Sequence, residues 1–267
     1  GCLNLEQMGN TLLLLDSEII DRPLTSITFA KPHEEQMELP SPKNGSFWEE
    51  RWLDTQYQIE LAVARLRNTV FYVDALPTTI PNLGPEIFSA FYGCPLHFGE
   101  KTSWSDPILP DWSEESVSRL KLDTDNFYFR KMVEMTDAFI EAGRDTFIVG
   151  YTDFHPGGDA LAAFRDPQAF CIDMIEHPAE VKKLLCRITK DFLWVYVFFY
   201  EKLSNAGMPS TTWLPAVANG KYHVPSNDFS CMVSDEIFTE LFLPEIIFFN
   251  LFLIYYSMYE GNSFLSF

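Results

Sequence analysis

Three short β-branched or aromatic runs, TVFYV (69–73), DTFIVG (145–150) and PSTTWLPA (209–216), give way to Gly, Pro or Asp. Much longer stretches with apolar residues at helical spacing separate them. Short strands alternating with longer helices are the pattern of β/α units on a parallel sheet, either a barrel or a doubly wound fold. In both architectures ligands bind beyond the carboxyl ends of the strands. Asp74, Asp153 with His155, and Asp228 all fall just after predicted strands. That coincidence makes them the first candidates for a site.

Local signals fill in the helices. The first 45 residues carry Pro32, Pro40, Pro42 and Gly45 and read as loops with one short strand. Ser46 followed by Glu49 has the form of a capping box. Behind it, Trp48, Trp52, Ile59, Val63 and Leu66 keep helical spacing. Further helices are predicted from Pro85 to a stop at Gly93, from 114 to Gly143, from the double glycine Gly157-Gly158, and from His177-Pro178 to Gly207. Another starts at Ser234, with Asp235 and Glu236 in its first turn. Neither G-x-G-x-x-G nor G-x-x-x-x-G-K-[ST] occurs, which removes the common nucleotide loops.

The end of the chain breaks this pattern. From Ile246 it reads IIFFNLFLIYYSMYEGNSFLSF, in which Glu260 is the only charge. The apolar run is shorter than the ~20 residues a bilayer span needs, and Asn250 interrupts it. We expect either a buried terminal segment or, in preference, a coding frameshift or truncation near Ile246.

Charge narrows the partners. There are 38 acids against 19 bases, a formal net charge of −19. Nucleic acid and anionic membranes would be repelled, because affinity for them comes from Lys and Arg. The five cysteines, Cys2, Cys94, Cys171, Cys186 and Cys231, form no C-x-x-C pair, which argues against a zinc ribbon and a disulfide framework. TLLLL, followed at once by Asp16, is too short for a signal peptide, so a cytoplasmic protein is expected.

Three stretches carry a more specific likeness. FYVDALPTTIPNLGPEIFSAFYGCPLHFGEKTSW, DTFIVGYTDFHPGGDALAAFRDPQAFCIDMIEHPAEVKKLL and VPSNDFSCMVSDEIFTELFLPEI together resemble the uroporphyrinogen decarboxylase superfamily, which includes cobalamin-dependent methyltransferases. The resemblance implies a (β/α)8 TIM barrel spanning 46–246, incomplete at its C-terminus. An extension (1–45) precedes it and an aberrant apolar tail (247–267) follows. A second copy covering the open side, a homodimer, is an expected consequence.

The resemblance also assigns roles. Asp74 matches an aspartate that stabilises developing positive charge, and Asp228 lies where the family has a polar cavity residue. The family's site tyrosine falls on Phe164, which has no hydroxyl. Apart from the resemblance, Asp153 and His155 are expected on the substrate side by their place after a strand, and with Asp159 they have a loose metal-ligand look in DFHPGGD. The arginine motif that grips substrate carboxylates is absent, which disfavours the decarboxylase itself. The methyltransferase branch implies zinc held by a His-x-Cys pair and a later Cys, with a corrinoid on a partner protein. No His-x-Cys occurs in this chain, leaving His223 and Cys231, with Asp228, as weak metal candidates. The expected function is corrinoid-linked methyl transfer from a small methylated compound. The alternatives are a carboxy-lyase or a non-catalytic partial barrel.

Overall fold

The computed structural model describes residue 23, residues 25–42 and residues 47–258, with side chains to residue 253. Its first strand, β1 (Ser26–Ala30), is exposed throughout. The expected helix after Phe47 is two helices, α1 (Trp48–Leu53) and α2 (Thr55–Arg67). Asp54 divides them: its extended backbone ends the first, and its carboxylate accepts from the Tyr57 N–H at 3.0 Å to cap the second. Ser46, the proposed cap, lies outside the described residues.

Strand β2 (Thr69–Val73) pairs antiparallel with β1 in the register Ser26↔Val73 to Ala30↔Thr69. TVFYV is thus one strand of a separate two-stranded antiparallel sheet and not a wall of a central sheet. The parallel pairing lies further on, between β3 (Thr78–Thr79) and β6 (Ile148–Val149), in the register Thr78↔Ile148 and Thr79↔Val149. Between them come α3 (Ile87–Ala90), the antiparallel pair β4 (Leu96–Phe98) and β5 (Ser103–Ser105), α4 (Glu114–Arg119) and α5 (Phe127–Gly143). Beside β6, the Tyr151 N–H donates to the Thr211 carbonyl at 3.3 Å, while the predicted strand at 209–216 makes only the bridge Ser210↔Ala218. The described residues therefore form a mixed α/β structure, mostly helical, and a closed eight-stranded barrel is not shown among them.

Four helices follow: α6 (Gly157–Arg165), α7 (Pro167–Glu176), α8 (Pro178–Asn205) and, after a 3₁₀ turn at Asp228–Met232, the short α9 (Asp235–Ile237). Pro167 and Pro178 stand at the first turns of α7 and α8, where the missing N–H costs nothing. Helix α8 buries Val181, Leu184, Leu185, Ile188, Phe192, Val195, Tyr196, Phe199 and Leu203, a stripe at three- and four-residue spacing. Against it pack Phe88, whose ring meets Phe91, Tyr92, Phe154 and Phe192 edge-on, and Phe154, whose ring meets Phe199 of α8.

The segment expected to be patternless is a helix, α10 (Leu243–Met258). Pro244 cannot donate to the carbonyl four residues back, and the turn before it, Phe238–Phe242, is a π-turn. Only Phe249 and Leu253 of the described α10 side chains are buried, with Phe249 against Phe192 and Tyr196, while Ile247, Phe248 and Leu251 are exposed. Apolar residues on every face hid this stripe from a periodicity reading. No helix among the described residues is long and apolar enough to cross a membrane.

Gly150 ends β6 at its closest approach to the neighbouring backbone. A methyl group there would penetrate the Thr211 carbonyl, whereas one on Gly220 would meet nothing within 4 Å. We predict that Gly150→Ala costs on the order of 3 kcal/mol in chemical denaturation, and Gly220→Ala less than about 1 kcal/mol.

Candidate functional site: a histidine and its carboxylates

Strand β6 delivers the segment Tyr151–His155, and Pro156 then turns the chain into α6. Gly157 adopts φ +62°, and a side chain on it would collide with the Glu245 carboxylate. A side chain on Gly158 would press on Asn227 Oδ1 and the Phe242 ring. The double glycine thus lets the start of α6 sit directly against α10 and the turn that precedes it.

Asp159, in the first turn of α6, faces away from its own helix end. Its Oδ2 accepts from the Asp228 N–H at 3.0 Å and its Oδ1 from the Phe229 N–H at 2.7 Å. Oδ2 also lies 3.2 Å from His155 Nδ1. The other ring nitrogen, Nε2, lies 3.1 Å from Asp153 Oδ2, and the Asp228 carboxylate stands 3.9 Å from Nδ1. His155 and Asp159 are nearly buried, whereas the Asp228 side chain is 80% exposed. Burial pushes the His155 pKa down, but the hydrogen bonds and charges of Asp153 and Asp159 outweigh it and hold the ring at about 10. His155 is an imidazolium at neutral pH with both N–H groups directed at carboxylates.

His155, Asp159 and Asp228 open on a cleft of about 270 Å³, also lined by Glu86, Ser89, Ser105 and Asp166. Glu86 Oε2 and Ser105 Oγ are buried atoms without a hydrogen-bond partner. The nearby Cys94 thiol is pushed up to about 12 by burial and then by Glu86, so it is inert as a nucleophile.

A second group lies behind His155. His223 is buried, with Nδ1 2.8 Å from the Tyr151 hydroxyl. Burial, followed by the charge on His155, lowers its pKa to about 3, so this histidine is neutral. Glu245 lies beside Thr189 and Gly157, where burial raises its carboxyl to about 8 against hydrogen bonds from Thr189 and the Gly158 N–H.

The structure thus brings together Asp153, His155 and Asp228 of the expected residues, and places the others elsewhere. Asp74 follows β2 on the amino side of β3, where its Oδ2 accepts from the Thr25 N–H at 3.0 Å, just before β1. It ties the end of β2 to the start of β1 and does not line the cleft. Phe164 is fully buried against Tyr92, and its carbonyl accepts from Ile108 and Leu109, so it packs the core. Cys231 is exposed, and Asp228 joins His155, not His223. Sequence reasoning gave no role to Glu245 or Glu86. A single acid inside FLPEIIFF was the available signal for Glu245, since a charge in such a run must find polar partners.

His155, Asp159 and Asp228 offer ligand atoms within 4.8 Å of one another. This set does not fit the thiolate zinc site that the resemblance implies: it holds no cysteine, and its histidine is already protonated between two carboxylates.

No protein-family profile and no curated protein matches the chain. Among solved structures, the fold is similar to that of a methyltransferase from Methanosarcina mazei. The TM-score is 0.57 at 12% identity, over 92% of this chain and 67% of that one. The likeness is one of fold.

His155 makes stability depend on pH in a defined direction. Its folded pKa of about 10 exceeds the ordinary 6.5, so its contribution is complete below pH 6.5 and lost as pH rises through about 10. Glu245 acts in the same direction between 4.5 and about 8. We predict that the melting temperature falls steadily from about pH 6.5 to about pH 10, and that His155→Gln removes most of the slope above about pH 8.

Proposed function

We propose that this protein transfers a methyl group from a small methylated cation held in the His155 cleft to a corrinoid presented by a partner protein. The observation that carries the reading is the charge of the cluster. Asp159 and Asp228 line the cleft with His155, as do Glu86 and Asp166, so four carboxylates face one imidazolium, a formal −3 in a cleft of small-molecule size, while Asp153 holds the ring's other nitrogen. The fold likeness to a methyltransferase supports the reaction class. We further read β3, β6 and the segment at Thr211 as neighbouring walls of a partial barrel, with the cleft at its carboxyl end.

The protonation state of His155 restricts the donor. Both N–H groups are committed to Asp153 and Asp159, so neither is free to protonate a departing alkoxide or amide. A quaternary ammonium or sulfonium donor needs no acid. When its carbon–nitrogen or carbon–sulfur bond breaks, the electron pair stays on the heteroatom, which leaves as a neutral amine or thioether. The carboxylates attract the cation and hold it, with exposed Asp228 nearest the solvent. A corrinoid would supply the nucleophile that takes the methyl carbon. The open mouth suits presentation from outside.

The test is methyl transfer to free cob(I)alamin, followed by its absorbance, with tetramethylammonium and trimethylsulfonium as donors. Anisole and methyl acetate serve as neutral donors. We predict turnover with the cations, and an Asp228→Asn variant that loses at least about tenfold in kcat/KM, mainly through KM. Turnover confined to neutral donors, or release of carbon dioxide from carboxylated substrates without methyl transfer, would overturn the proposal.

A further inference from the structure

A second cavity, of about 470 Å³, has the opposite electrostatic character. It lies between α1, α2 and the residues that follow β3, with Ile80 and Asn82 on its wall. Arg51, Arg65 and Lys101 line it against a single acid, Glu100, a formal +2. In a chain with twice as many acids as bases, three cations sharing one cavity is the reverse of what random placement gives. Arg65 and Lys101 form no ion pair among the described residues.

The cavity is also built. The Trp52 indole N–H donates to the Gly99 carbonyl at 2.8 Å, which joins α1 to the loop carrying Glu100 and Lys101. Gln58 donates to the Arg51 carbonyl at 2.7 Å, bracing α1 on α2. The Arg51 guanidinium lies 4.4 Å from the centre of the Trp48 ring, which keeps the guanidinium beside an aromatic face that is itself 38% exposed. Cations from two helices and one loop thus converge beside an indole.

We infer that this cavity binds an organic oxyanion, a carboxylate, sulfonate or phosphate carried on a planar apolar body. The head is held by Arg51, Arg65 and Lys101, and the body rests on Trp48. Guanidinium groups suit such heads because their N–H fork matches two oxygens at once. The site is separate from the His155 cleft, and its ligand is separate from the methyl donor proposed there.

The experiment uses the full chain and intrinsic tryptophan fluorescence, titrated with benzoate, benzenesulfonate and phenyl phosphate. Benzyl alcohol and benzylammonium serve as neutral and cationic counterparts. At least one anion is expected to bind at least about tenfold more tightly than the counterparts, and the tightest of the three identifies the head group. Arg65→Glu with Lys101→Glu should weaken that anion by at least about tenfold while leaving the melting temperature of the free protein unchanged, since both side chains are exposed and unpaired. Equal binding of benzyl alcohol, or an unaltered anion affinity in the double variant, would overturn the inference. Fluorescence responds to binding whether or not methyl transfer occurs, so the two proposals fail independently.

Discussion

One carboxylate joins the two halves of the candidate site. Asp159 accepts the backbone N–H groups of Asp228 and Phe229 and holds one side of the His155 ring, so a helix start and a turn 69 residues later share a single anchor. That anchor needs α6 to begin very close to the 227–245 region, which only Gly157 and Gly158 allow. It also needs an aromatic floor to set the height of the turn. Phe229 supplies this through Phe170 and Phe242. Packing, backbone geometry and the polar cluster therefore depend on one another.

The same arrangement separates two histidines by charge. His155 gains carboxylates and holds its proton, while His223, enclosed by Phe192, Tyr196 and Phe249, loses its own. Neutral His223 costs less to bury, and charged His155 repels a second charge behind it. At the larger scale the chain repeats the contrast, with an acidic cleft around His155 and a basic cavity around Arg51, Arg65 and Lys101.

How much of this was legible in the sequence depends on distance along the chain. Asp153, His155 and Asp159 lie within one short motif, and the helix caps at Ser234 and Pro178 are local signals, so all were open to reading. Asp228 was visible as an acid at the mouth of a helix. Its true partner was not visible, because only tertiary packing brings residue 159 to it. The surroundings of Asp74 were not legible, because TVFYV has strand composition whether it lines a barrel or pairs in a separate sheet, and its pairing with Ser26–Ala30 is not a local property. Phe164 was assigned by likeness, yet its position on α6 points it at Tyr92 and into the core. The partial barrel was an implication of the likeness, since alternation left a doubly wound fold equally open, and neither fixes how long the strands pair.

The central claim is that His155 is a cation at neutral pH, locked between Asp153 and Asp159. The most direct test is nitrogen NMR of the His155 ring through a pH titration, assigned by comparison with His155→Gln. The account predicts that both ring nitrogens stay protonated at about pH 8 and titrate together near 10. A neutral single-tautomer ring at about pH 8, with a midpoint close to 6.5, would contradict it.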